Sequence, residues 1–173
     1  VRKDYTSNTP VTTVDSTLLT NTSDFALESK LQQLPQFASS TNSQFNTAYT
    51  NVGASTLNLR NIGENRNLVL LDGRRLQPST ASFAIDVNTI PASLISSVEV
   101  ITGGASAVYG SDAISGVINF KLKRNFEGLQ LDVQQGITQA GDLPTTSATA
   151  TFGVNLANEG NVVFAVDYSR RGS

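Results

Sequence analysis

The 173-residue chain contains no cysteine, histidine, methionine or tryptophan. Without cysteine there is no disulfide framework and no thiol nucleophile, and without cysteine and histidine there is no Cys/His zinc site. A Ser-His-Asp triad lacks its base, while Ser-Lys chemistry remains formally open. The missing thiols suit an oxidising compartment without identifying one. Charge is scarce too: 12 basic against 14 acidic residues give a net charge of -2, with no electrostatic footprint for nucleic acid or an anionic membrane surface. No apolar run approaches the ~20 residues of a transmembrane helix, and no charged-then-apolar leader opens the sequence. The length suits one ordinary domain with an appendage.

What is present concentrates between Val87 and Lys123, VNTIPASLISSVEVITGGASAVYGSDAISGVINFKLK. Two β-rich runs, SSVEVI and GVINFKLK, flank a segment of glycines and small residues. Gly103, Gly104, Gly110 and Gly116 supply positions for positive φ or close backbone approach. Ala105 to Tyr109 between them reads as about one turn of helix. The glycines do not make a phosphate loop, because the Gly-x-x-x-x-Gly-Lys-[Ser/Thr] spacing and a nearby lysine are both missing. Asp72, Asp86, Glu99 and Asp112 form no legible carboxylate pair, and Asp112 reads as the brace of a turn. Nothing in the pattern implies a metal or a cofactor.

Upstream, Pro10–Val14 can form a short strand. Ser23 or Asp24 can cap a helix whose apolar face is Ala26, Leu27, Leu31 and Leu34, ended by Pro35. Ala38–Ala54 is a polar tract with Phe45 and Tyr49 as its aromatics, and reads as an irregular loop. Thr56–Arg60 alternates like a strand; Asn67–Asp72 is nearly all apolar, as expected of a buried strand. Asp72-Gly73 marks a turn, with Gly73 its flexible position. Residues 74–86 follow as a second loop, and Pro91 suits the first turn of a helix opening at Asn88.

After Arg124 the pattern changes to strict alternation over Gly128–Ile137, Ala148–Leu156 and Asn161–Ser169, separated by QAGDLPTT and LANEGN. In the last run, Val162, Phe164, Val166 and Tyr168 oppose Ala165, Asp167 and Ser169. Segments of about 9–10 residues match transmembrane β-strands tilted across a bilayer. A soluble amphipathic meander carries the same alternation.

The blocks LNLRNIGENRNLVLLDGRRL and NTIPASLISSVEVITGGASAVYGSDAISGVINF, in this order and spacing, resemble the plug domain of TonB-dependent outer-membrane receptors. The resemblance covers roughly Asn8 to Arg124 and decides the tail in favour of barrel strands. It implies an α+β fold: a flexible segment 1–9, a mixed-sheet plug with short helices over 10–124, and the first three strands of an incomplete outer-membrane β-barrel over 125–173. Three strands cannot close a barrel, so the chain reads as an N-terminal part of a receptor with something lost upstream.

The function so implied is import of an extracellular ligand across the outer membrane of a Gram-negative bacterium, energised by TonB and its inner-membrane complex. The ligand classes are ferric siderophore, cobalamin or oligosaccharide, and the other partners are the rest of the barrel and outer-membrane lipid. Phe45, Tyr49, Arg75, Gln77 and Phe83, on loops under the outer vestibule, are the ligand-contact candidates. Arg60 and Arg74 are candidates for pairing with acidic groups of the barrel wall and holding the plug. Asn61 stands where the family commonly has glycine; asparagine can still take left-handed geometry. No reaction centre is implied, and the alternative is a stand-alone periplasmic plug-like binding module.

Overall fold

The computed structural model describes residues 11–16, 19, 26–40, 53–80, 82–103, 105–136, 144–156 and 160–171. Ten strands are assigned among them: β1 Val11–Asp15, β2 Phe37–Ala38, β3 Asn58–Leu59, β4 Asn67–Leu71, β5 Arg74–Arg75, β6 Ile95–Thr102, β7 Gly116–Leu122, β8 Gly128–Gly136, β9 Thr145–Leu156 and β10 Gly160–Arg171. Two short helices, α1 Leu27–Gln32 and α2 Ser106–Tyr109, complete the regular structure with several 3-10 turns.

The N-terminal half is organised on a five-stranded mixed sheet of order β1-β6-β7-β4-β5. β6 pairs antiparallel with β1 and β7, and β7 runs parallel to β4. The parallel pair explains the apolar run in β4, because both faces of the sheet are covered. Val69, Val98, Val100, Ile118 and Phe120 face a large cluster with α1 and the β2–β3 ribbon, through Leu27, Leu31, Phe37, Leu57 and Leu59. Leu68, Leu70 and Val117 point the other way, under Ala105 and Ala113. Phe120, Ile118 and Leu59 are fully buried, each contributing about 1.5–3 kcal/mol of apolar burial.

Local structure departs from expectation where elements are too short to show a period. The expected strand over Thr56–Arg60 reduces to Asn58–Leu59, because Arg60 and Asn61 turn left-handed at φ 59 and 56. Its partner β2 lies at the edge of a tract read as loop, and β5 in the next one. In place of one helix after Asn88 there are two 3-10 turns, Val87–Thr89 and Ala92–Leu94, with Ile90 and Pro91 extended between them. α1 has no side-chain cap; the capping candidates Ser23 and Asp24 lie outside the described residues. Asp72 and Gly73, at φ 50 and 80, form the two-residue turn joining β4 to β5, the both-positive geometry that a tight hairpin requires.

The C-terminal half is a three-stranded antiparallel sheet of order β10-β9-β8, with strands of 9, 12 and 12 residues. Its register places Leu129, Leu131, Phe152, Val154, Phe164 and Val166 on one face, all of them exposed. The opposite face carries Gln130, Asp132, Thr149, Thr151 and Asp167 and lies against the five-stranded half.

Candidate functional site

Among the described residues, polar side chains gather in a cleft at the β5 edge of the large sheet and in the seam between the two halves, as well as beside Asp72, Asn119 and Lys121.

The cleft is built on residues 76–86, the return from β5. Thr80 organises it: its carbonyl accepts from Phe83 N at 3.1 Å, its hydroxyl accepts from Ala84 N at 2.9 Å, and Ala84 O accepts from Ser79 N at 3.1 Å. Asp86 ties the base, its Oδ1 accepting from Ser55 N and Asn88 N, both at 3.0 Å. On this braced turn Phe83 takes φ 59 and is 76% exposed. A left-handed bulky residue is costly, and such strain persists only where the surroundings over-determine it. The aromatic ring is therefore presented outward at a set position rather than left on a loose loop. Phe83 lines a cleft of about 510 Å³ together with Gln77, Pro78, Arg75, Asn65 and Asp112.

Arg75 forms the far wall. Its Nη1 donates to Asp112 Oδ2 at 2.7 Å and its Nη2 to the Tyr109 carbonyl. Both partners are about half exposed, so the pair is worth at most about 1 kcal/mol in isolation. Asp112, read as a turn brace, thus braces β5 against the segment that follows α2. Arg75, Gln77 and Phe83 come together on this one cleft; Phe45 and Tyr49 lie outside the described residues, as does Gly104. Gly73, Gly103, Gly110 and Gly116 all have positive φ.

The seam is polar. Ser93 Oγ donates to Asp167 Oδ2 at 3.3 Å, and Thr149 Oγ1 to Asp167 Oδ1 at 2.8 Å. Lys123 Nζ donates to Gln130 Oε1 at 3.1 Å, and Gln130 Nε2 to Asp132 Oδ2 at 2.8 Å. The Lys123 ammonium also stands 5.2 Å from the Phe126 ring centroid. Burial lowers the Lys123 pKa from its ordinary value, and the Asp132 carboxylate opposes that shift. Phe126 closes on Gly153, where a β-carbon would lie 2.6 Å from the ring's Cδ1 and closer still to the Phe126 carbonyl oxygen. Asn161 Nδ2 donates to that same carbonyl at 2.9 Å.

Arg60 and Arg74 are exposed, and among the described residues neither has an ion-pair partner. Contacts between the halves run from Ser93 to Asp167 and from Lys123 to Gln130, while Phe126 and Asn161 fix the connector onto the three-stranded sheet. Sequence reasoning missed them, although Gly153 carried a signal: a glycine inside an alternating strand marks the close approach of another backbone.

The TonB-dependent Receptor Plug Domain family model matches residues 3–117. Among solved structures, the siderophore receptor PirA from Pseudomonas aeruginosa is similar at TM-score 0.67 and 20% identity over 94% of this chain and 29% of that one. A mutant of the ferric enterobactin receptor PfeA from the same organism is similar at TM-score 0.71 and 18% identity, over 94% and 24%. The ferric citrate transporter FecA, in its unliganded form, is similar at TM-score 0.68 and 16% identity, over 94% and 25%. The chain thus spans 24–29% of the length of these structures, and at such identities the likeness is one of fold.

Proposed function

The chain belongs to the TonB-dependent receptor plug-domain family, and from that premise we propose that it is the N-terminal part of an outer-membrane receptor that binds an extracellular ligand and gates its import into the periplasm. One observation carries the reading: β8–β10 turn a continuous apolar face outward while their polar face packs on the plug. A stand-alone periplasmic module would have to leave that face in water, which disfavours the alternative reading.

Loop lengths support an orientation. β9 and β10 are joined by residues 157–159, whereas β8 and β9 are joined by residues 137–144. Outer-membrane barrels keep short turns on the periplasmic side and longer loops outside. The Gly136–Thr145 end of the sheet is then the outer end. Asn88 and Pro91, next to the base of the 76–86 turn, line a common cleft with Thr145, Ser169 and Arg170. The Phe83 cleft accordingly belongs to the outward-facing part of the plug, where Phe83 can stack on a ligand and Arg75 and Gln77 can hydrogen-bond it.

Arg60 and Arg74 keep their proposed part as contacts to acidic groups of the barrel wall. TonB, driven by its inner-membrane complex, would pull on the N-terminal segment, and the plug's response is gating by differential contacts rather than covalent chemistry. A serine-dependent hydrolase is disfavoured, since the sequence has no histidine to serve as its base. The ligand is proposed as one of the classes the family imports: ferric siderophore, cobalamin or oligosaccharide.

The test is the native product. An antibody to the Leu57–Lys123 region should detect an outer-membrane band far heavier than 18.3 kDa whose mobility shifts on heating. A soluble periplasmic band near 18.3 kDa would overturn the receptor reading.

A further inference from the structure

Residues 105–115 lie as a strap across one face of the large sheet, and their anchorage is light. Two alanines, Ala105 and Ala113, supply the buried apolar contact with Leu68, Leu70 and Val117, and Tyr109 is half-buried at the margin. Val108 on the crest is 80% exposed. A strap held by single methyl groups buries far less apolar area per residue than the leucine-rich opposite face. Segments with few buried contacts are the first to open.

Two polar clamps complete the attachment. At the end of the strap, Ser115 donates to the Arg66 carbonyl through its N at 3.0 Å and its Oγ at 2.8 Å. In the middle, the Arg75 guanidinium holds Asp112 Oδ2 and the Tyr109 carbonyl. The same guanidinium lines the Phe83 cleft. One planar group with a fixed fork of donors thus faces both the cleft and the strap. A carboxylate arriving through the cleft would meet the N–H groups that Asp112 now occupies.

We propose that Arg75 is a ligand-displaceable clasp: a carboxylate-bearing ligand in the cleft takes the guanidinium from Asp112 and releases the middle of the strap from the sheet. This rests on the reading of the 76–86 turn as ligand-facing. Displacement is cheap on the protein side. Asp112 is 59% exposed and remains solvated when it loses its partner, and an exposed pair of this kind biases a local equilibrium by no more than about fivefold. Freed of the clasp, the strap stays tethered at Ser115 and uncovers Leu68, Leu70 and Val117. A chemical event in the cleft thereby becomes a mechanical one on the other side of β4.

The test is amide hydrogen exchange on the full-length receptor in outer-membrane vesicles. Arg75→Gln and Asp112→Asn should each speed exchange across residues 105–113 by about three- to fivefold, leaving the amides of β4 and β7 unchanged. The charge swap Arg75→Asp/Asp112→Arg should restore slow exchange. Malonate, used as the carboxylate probe, should speed exchange in the wild type and not in Arg75→Gln, compared with sodium chloride of equal ionic strength. Single variants with wild-type exchange would overturn the clasp, and a chloride effect equal to that of malonate would reduce it to charge screening. Labelling of Ser82→Cys by an impermeant maleimide on intact cells separates the two readings. If the cysteine labels and malonate has no effect, displacement falls; if it does not label, the outward-facing assignment of the turn falls first.

Discussion

Replacing Gly116 by alanine should unfasten the centre of the plug sheet. Gly116 begins β7 at φ 145, paired with Thr102 of β6 and Asn67 of β4. A β-carbon there would lie 2.5 Å from Leu59 Cδ2, 3.3 Å from the Ile101 carbonyl carbon, and inside contact distance of its oxygen. Carbon atoms pack at about 3.5–4.0 Å, so the Leu59 methyl would have to retreat by about 1 Å in a fully buried site. The Ile101 carbonyl, fixed in the ladder, has less freedom still. Overpacking costs about 1–3 kcal/mol and the backbone conformation about another 1–3. The sum, about 2–6 kcal/mol, takes a large part of the 5–15 kcal/mol by which a domain is stable. Native-state exchange of the Val117–Phe120 amides in the full-length receptor should therefore accelerate by about 30-fold or more. Leu59→Ala, which by itself should cost about 2–5 kcal/mol, clears only one of the three contacts. The double variant should therefore be less destabilised than the sum of the two single variants, yet worse than Leu59→Ala alone. Exchange within threefold of wild type in Gly116→Ala, or strict additivity, would refute this account of the site.

Gly153→Ala should drive Phe126 off the inner face of β9 and cost about 1–3 kcal/mol; trypsin sensitivity at Lys123 and Arg124 in folded receptor is the readout, and Phe126→Ala should rescue it only in part because the backbone also collides. Asn161→Ala removes the bond to the Phe126 carbonyl and should cost about 1 kcal/mol by the same assay. Val133→Arg, on the outward apolar face, should impair membrane insertion by up to about 2–4 kcal/mol, measured as the folded fraction in lipid vesicles, while Gln134→Arg on the inner face should insert normally. For Lys123 the folded pKa lies below the unfolded 10.5. Between those two values the unfolded chain binds more protons, so seam stability should rise with pH through that window and stay flat below it; Lys123→Met should remove this pH dependence in chemical-denaturation titrations.

What could be read in the sequence follows from the range of each signal. The period of two in β8, β9 and β10 is local, and the three strands fall on the alternating runs, with β9 starting three residues early at Thr145. The apolar β4 run and the glycine-bounded turn of α2 were legible for the same reason. Pairing was not: that β4 lies parallel to β7, and β1 against β6, is decided by which surfaces bury each other rather than by any window of sequence. Two-residue strands such as β2 and β5 are too short to show a period at all. In the cleft, the residue types of Arg75, Gln77 and Phe83 pointed to recognition, but the bond of Arg75 to Asp112 joins segments with no common pattern. Of the contacts at Phe126, only Gly153 left a trace in the sequence, as a glycine inside an alternating strand; the Asn161 bond to the Phe126 carbonyl has no side-chain signature.

The order of strands in the plug also governs when it can form. β1 hydrogen-bonds to β6, and β4 to β7, so the first strand synthesised waits for one near residue 100 and the buried β4 waits for the last strand of the sheet. The antiparallel pair of consecutive long strands in this sheet, β6 with β7, is itself the last to be synthesised. A topology of such high contact order folds slowly, because loop closure precedes any reward from pairing. A nascent plug therefore stays unfolded for as long as its sheet is incomplete, which for the outer-membrane receptor proposed above is the state that export requires. The slow step falls when β7 arrives and Gly116 lets it slide in beside Ile101.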